Sequence, residues 1–361
     1  MRPIVLFLFL FVSFGSFAQE QKIIYERAFT ELKGMLEDSI PTSFKRAVFV
    51  TEDAYRENSL SYSIFNSKIT FLTDLCRKIS RQGNLIYDES DKDEIKKYAA
   101  VFRLMTDTVQ FLIDNTRYFV TQPYEYDFED FWGEKDWSKM FVSKLLETNR
   151  GNCHSLPFLY KILVEELGGK AYLSMAPNHT YIKQWSKKTG WYNTELTSHY
   201  FPIDAWIMAS GYIHLSAVQN RIYMDTLSEK QSIAVCLVDL AKGFERKAKD
   251  DLDFIANCSD LALKYYPKYT NALILKAETT KRRFEKIMEK TGATYPAQVF
   301  DRPDAKALFG SMEHQYSSIH ELGFRTMPKE MYINWLIELK RNKKKYGNKE
   351  IISNLKSTPN K

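Results

Sequence analysis

Arg150-Gly151-Asn152-Cys153-His154-Ser155-Leu156-Pro157-Phe158-Leu159-Tyr160-Lys161-Ile162-Leu163-Val164-Glu165-Glu166-Leu167-Gly168-Gly169 reads as a turn that delivers a cysteine to the start of an amphipathic helix. Leu156, Leu159, Tyr160, Leu163 and Leu167 recur at three- and four-residue spacing, Pro157 is tolerated only in a first turn, and Gly168-Gly169 is a stop signal. Cys153 is therefore expected at a helix N-terminus, where partial positive charge and unpaired N–H groups favour thiolate over thiol. Its own N–H is then placed to face a developing oxyanion.

Beyond the glycines the period changes. Lys170–Met175, Thr180–Trp185 and, after a Lys-Lys-Thr-Gly turn, Trp191–Leu196 have strand character. His179 heads the second run, 26 positions after Cys153, and Glu195 lies in the third, 16 positions further on. A thiolate, an imidazole to pass its proton and a carboxylate to orient that imidazole form the minimal set for acyl transfer. His154 is a poor candidate for the base, because neighbouring residues on a helix point in different directions.

At these residues the chain resembles the transglutaminase-like superfamily, whose core is papain-like. The resemblance rests on Gly151-Asn152-Cys153 opening a helix, on His179 followed by Thr180-Tyr181-Ile182, and on the Trp191 to Glu195 run. With the preceding helix from Trp137 to Thr148 it covers roughly residues 137–204. It implies a catalytic Cys153, His179 and Glu195. That family usually has Asp, four positions after a Trp, as third member; here Glu195 stands four after Trp191, and Asn193 and Asp204 are the alternatives. The implied activity is cysteine-dependent acyl transfer on an amide, by hydrolysis as a peptidase or amidase or by cross-linking, with no metal or organic cofactor. The second substrate, water or amine, is left open. A binding or scaffold module that keeps the fold without the chemistry is the competing reading.

The first 18 residues are read as a signal peptide, with Arg2, an apolar run from Ile4 to Val12 and a Ser16-Phe17-Ala18 cleavage site, so the protein is expected in the periplasm or outside the cell. No cysteine follows that run to carry a lipid, and no later stretch reaches the ~18 apolar residues that span a bilayer, so no stable membrane anchor is expected. Basic and acidic residues number 51 and 45 and are interspersed, which argues against a nucleic-acid partner. The partners expected are a protein or peptide substrate, or an envelope polymer; the oligomeric state is open. Cys76, Cys153, Cys236 and Cys258 are too few for a disulfide scaffold and lack metal-site spacing. Asn178-His179-Thr180 is a glycosylation acceptor pattern, and a glycan there would crowd the proposed base, which favours a bacterial envelope setting.

The expected fold class is α+β, mostly helical, with a small α/β core flanked by helical regions. After the signal peptide come an N-terminal helical region (19–117), the core (118–215), a C-terminal helical region with repeat-like character (216–346) and a polar, loose tail (347–361). Helices are expected at 20–37, from Leu60 to Ile79, and from Asp91 to Ile113 with Asp91 and Glu94 as a capping box. The aromatic and acidic run Gln122–Gly133 reads as a loop that either lines a cleft or packs over the core. Helix Ser138–Thr148 then leads to Cys153. Leu252–Tyr266 and Asn271–Met288, split at Pro267, resemble a tetratricopeptide hairpin, and helices at Pro303–Leu322 and Pro328–Lys345 finish the chain.

Overall fold

Residues 3–82, 84–112, 117–248, 251–355 and 357–358 are described by the computed structural model. Helices α1 (Pro3–Leu36), α2 (Phe44–Tyr55) and α3 (Tyr62–Gln82) open the chain, and the short strand β1 (Asn84–Leu85) precedes α4 (Lys92–Thr106). Next come β2 (Val109–Leu112), β3 (Tyr118–Thr121), β4 (Glu125–Tyr126), a 3₁₀ turn at Trp137–Met140, α5 (Val142–Thr148), β5 (Arg150–Gly151) and α6 (Ser155–Glu166). Strands β6 (Tyr172–Ala176), β7 (His179–Ser186) and β8 (Gly190–Thr194) form an antiparallel meander, the largest sheet among the described residues. The rest is helical: α7 (Asp204–Ser210), α8 (Leu215–Gln219), α9 (Glu229–Lys247), α10 (Leu252–Tyr265), α11 (Thr270–Thr291), α12 (Pro303–Glu321), α13 (Lys329–Arg341), α14 (Lys343–Tyr346) and α15 (Lys349–Leu355), closed by β9 (Ser357–Thr358). The fold class is thus α+β and mostly helical. The signal-peptide reading begins at residues outside the described ones, and from Pro3 the backbone is helical as far as Leu36.

The chain divides into two compact units. One combines residues 1–61 with 229–322. Its helices pack in succession, α9 on α1, α2 and α10, then α10 on α11 and α11 on α12. Tyr25, Phe244 and Phe254 meet edge to face at its centre, beside the fully buried Cys236 and Cys258. The 19–117 and 216–346 stretches are accordingly shared between the two units.

The other unit combines 62–228 with 323–361 and holds the sheet. Helix α6 is its axis, packed against α3, α4, α5, β6 and β7. Ser155 to Val164 are all buried, so α6 is covered nearly all round rather than showing one apolar stripe. Even Lys161 is buried, donating to Glu165 Oε1 and to the Ala171 carbonyl. The helix stops at Gly168, whose φ of +72° lets it take the left-handed conformation that a side chain would resist. Tyr160 ties α6 to its neighbours, its hydroxyl within hydrogen-bond reach of the Tyr98 carbonyl and 3.0 Å from Gln184 Oε1, which also accepts from Thr194 Oγ1.

Four local expectations are corrected. The helix expected from Asp91 to Ile113 ends at Thr106, because Val109–Leu112 alternates buried and exposed residues and pairs with Tyr118–Thr121; Ile113 lies outside the described residues. Asp91 caps nothing with its side chain, since its oxygens accept instead from the Tyr87 hydroxyl and the Lys187 N–H, while Glu94 takes Tyr98, Lys97 and the Lys170 N–H. The helix expected over Ser138–Thr148 is broken at Phe141, which is extended and buried. The described residues of the tail after Gly347 form α15 and β9 rather than a loose end: Asn348 Oδ1 accepts from the Ile351 N–H, and β9 pairs with β1; residues 356 and 359–361 lie outside the described ones.

Candidate active site

The turn before α6 is built by Asn152. Its Oδ1 accepts from the backbone N–H of His154 at 3.0 Å and of Ser155 at 3.1 Å, capping the helix, while the Ser155 hydroxyl lies 3.1 Å from the Asn152 N–H. Its amide also donates to the Phe131 carbonyl. Gly151 is closely packed here, since a Cβ would come within 2.5 Å of Ser155 Oγ and 2.8 Å of Leu145 and push those side chains aside. The Gly151 carbonyl accepts from the Asp127 N–H in the parallel β4–β5 pair. Cys153 thus sits in the last turn before the helix, and its backbone N–H has no acceptor among the described residues.

On the sheet, the period of two places His179, Tyr181, Lys183 and Trp185 of β7 on one face. The register sets Lys183 opposite Asn193, so Asn193 and, two residues on, Glu195 share that face. The opposite face packs on α6. Glu195 lies one residue beyond β8, held by paired backbone hydrogen bonds with Tyr200.

These elements bring Cys153, His179 and Glu195 together. His179 Nε2 is 2.5 Å from Glu195 Oε2. The other Glu195 oxygen accepts from the Thr197 N–H at 2.8 Å and the Thr197 hydroxyl at 2.6 Å, so both are engaged. Asn193 and Asp204 do not reach the ring: Asn193 donates to Asp204 Oδ1 at 2.8 Å and to the Pro202 carbonyl, and Asp204 also faces Lys183. His154 turns away, its Nδ1 on the Met140 carbonyl and its ring against Phe158.

The electrostatics separate this cysteine from the others. Burial would push the Cys153 thiol up, but the hydrogen bond and charge of His179, with a hydrogen bond from Tyr332, outweigh it and hold the thiol below its ordinary range. In His179 burial opposes charge, yet the Glu195 carboxylate and the Cys153 partner raise the imidazole to about 10. Glu195 is held below the usual carboxylate range, the His179 charge and the Thr197 donors overcoming its burial. Both directions favour the thiolate–imidazolium form of the pair. The Cys153 thiol points at the Asn178 carbonyl, 3.6 Å away.

Sequence reasoning missed the surroundings. Tyr332, from α13, places its hydroxyl 3.1 Å from His179 Nδ1, near enough to Cys153 to act on its thiol. Trp335, one turn on, meets the His179 ring edge to face at 4.7 Å. Tyr126 reaches Cys153 from β4, its hydroxyl 3.4 Å from that of Tyr332. Burial pushes both phenols well up, so both stay protonated and can donate. Phe131 and Trp132, in the aromatic and acidic run, pack against Tyr332. That run is no open loop: the Asp130 carboxylate accepts from the N–H groups of Glu134, Lys135 and Asp136, and Asp127 pairs with Lys139.

Comparison of the chain with family models, curated proteins and solved structures gives no match.

Proposed function

We propose that this chain is an exported, transglutaminase-like, cysteine-dependent acyl-transfer enzyme that acts on an amide of a protein, a peptide or an envelope polymer. The observation that carries the reading is the His179 ring, held at Nε2 by Glu195 and close enough to Cys153, at the head of a helix, to lower its thiol. Cys153 Sγ attacks the amide carbon, and the oxyanion that forms is met by the Cys153 N–H. The C–N bond then breaks as the imidazolium gives its proton to the leaving amine, leaving a thioester. Water or a second amine adds to the thioester, His179 takes its proton, and the C–S bond breaks to free the thiolate. Glu195 holds the ring in one orientation and stabilises its charge whenever it carries the proton.

A second reading, a binding module that does not turn over, is favoured by one observation: Cys153 is only 6% exposed. The pH profile of alkylation separates the two. With iodoacetamide and mass-spectrometric mapping on the full chain, an enzyme thiol keeps reacting at pH 6, where an ordinary thiol, with a pKa near ~8.5, is almost wholly protonated. A Cys153 profile that rises only above neutrality would sink the acyl-transfer reading.

A further inference from the structure

We infer that α13 is an inhibitory cover over the Cys153–His179–Glu195 site, latched by Tyr332, and that it must leave before any acyl group can reach the cysteine. The inference rests on the acyl-transfer reading and goes beyond it to how the site is controlled.

Cys153, His179, Glu195 and Tyr332 are 6%, 4%, 2% and 0% exposed, so no bulky amide can approach Sγ in this arrangement. Two cavities among the described residues, about 470 and 300 Å³, are lined by none of the triad. Three elements close around the Cys153–His179 pair: β4 through Tyr126, whose hydroxyl is 3.4 Å from that of Tyr332, the β6–β7 turn through the Asn178 carbonyl, and α13 through Tyr332, 3.1 Å from His179 Nδ1. The first two cannot move without dismantling the site, because β4 pairs with β5 next to Cys153 and the turn carries His179 itself. Helix α13 is different. It contributes neither nucleophile, base nor carboxylate, it lies outside the sheet, and residues 323–328 that lead into it have no regular structure.

Its attachment is nonetheless specific. Tyr332, Trp335, Leu336 and Leu339 are its buried residues, at the three- and four-residue spacing of one helix face. At its start the Asn178 side chain donates to the Met327 carbonyl at 2.8 Å, and Lys329 pairs with Glu134 at 2.9 Å while its ammonium lies over the rings of Phe131 and Trp132. At its far end Trp206 stacks on Trp335, and the Tyr346 carbonyl accepts from the Ile203 N–H. The Tyr332 hydroxyl thus occupies the space beside Sγ and Nδ1 that an attacked carbonyl and its leaving amine would need. A site whose competent state is rarely populated has its apparent reactivity cut by that fraction, so weakening the latch raises the rate without touching the triad.

The test is the iodoacetamide labelling rate of Cys153 at pH 7 in the full chain, with circular dichroism to follow folding. Tyr332→Ala is expected to raise the rate at least tenfold. Leu339→Ala removes a buried contact remote from the sulfur, keeps Tyr332, and is expected to raise the rate several-fold; it decides the matter alone if Tyr332→Ala fails to fold. Unchanged or slower labelling in the folded variants overturns the cover. His179→Ala placed in the Leu339→Ala background tells this failure from that of the underlying reading. If opening accelerates labelling but losing His179 does not slow it, the cover stands and the acyl-transfer chemistry falls.

Discussion

Cys236 and Cys153 are both buried, one in each compact unit, and burial opposes ionisation in both; yet the Cys236 thiol is pushed well up and the Cys153 thiol is held down. Cys236 sits mid-helix in α9 among Ile233, Leu237 and Leu240, with the charges of Asp239, Glu52 and Glu229 adding to its burial. Cys153 sits just before a helix with the His179 ring, its pKa raised by Glu195, beside it. A buried thiol is thus inert by default, and a cationic partner positioned by its own carboxylate reverses that. Cys258 and Cys76 follow Cys236, both raised by burial.

The strongest way to sharpen the contrast is to loosen the inert side. Leu237→Ala, at a fully buried position beside Cys236, should cost about 2–5 kcal/mol of stability through the lost contacts and the cavity left behind. Denaturant unfolding measures the loss. Cys236 should then alkylate faster in step with unfolding while keeping the alkaline profile of an ordinary thiol. Labelling of Cys236 at pH 6 in the folded protein would break the distinction.

His179→Ala tests the reactive side. Without the imidazolium the burial of the Cys153 thiol is opposed only by Tyr332 and the His154 charge, and the thiol rises. Each pKa unit is a factor of ten in thiolate, so labelling at pH 6 should fall on the order of 100-fold. An undiminished rate would mean that the helix terminus alone ionises the sulfur.

How much of this was legible in the chain depends on range. Cys153 before a helix follows from the Leu and Tyr spacing and Gly168, and the shared face of His179 and Glu195 follows from strand period; each is a local rule. The choice of Glu195 over Asn193 was not local. It depends on the Tyr200 bridge and on Thr197, which fix where the chain goes after β8. An Asn three residues before a Ser was a readable cap signal at Asn152. Nothing near Cys153 announced Tyr332, which arrives from far along the chain. The spacing of Tyr332, Trp335, Leu336 and Leu339 marked a helix with a buried face but not what that face would meet. The capping box at Asp91 failed because distant partners, Tyr87 and Lys187, claimed the carboxylate.

A smaller effect is expected from Glu195→Gln. The His179 pKa is raised from 6.5 to about 10, so its share of stability is complete below pH 6.5 and lost as pH rises through about 10. Glu195 is lowered from 4.5, so its share is present above pH 4.5 and lost as pH falls through its folded value. The pair's full contribution lies between those limits. Glu195→Gln should flatten that part of the stability profile and slow Cys153 labelling at pH 6 about tenfold, one pKa unit's worth. Denaturation midpoints across pH check the first and mass spectrometry the second. A pH profile of stability identical to the native one would remove Glu195 from the pair.

The least change in the thiol is expected from Asn193→Ala, and that makes it the closest control on the third member. Asn193 shares the sheet face with Glu195 and is nearly as buried, so by strand period alone either side chain is a candidate for the ring. Its amide, however, is spent on the Pro202 carbonyl at 2.9 Å and Asp204 Oδ1 at 2.8 Å. Removing it leaves a buried carbonyl short of a donor, which costs on the order of 1–3 kcal/mol. Asp204, half exposed and still facing Lys183, loses little. Stability should therefore drop while the pH at which Cys153 begins to alkylate stays where it was. If that pH moved upward as far as in Glu195→Gln, the imidazolium would depend on the Asn193 and Asp204 side of the face as much as on Glu195. The reversal that separates Cys153 from Cys236 would then belong to a wider polar network rather than to one carboxylate.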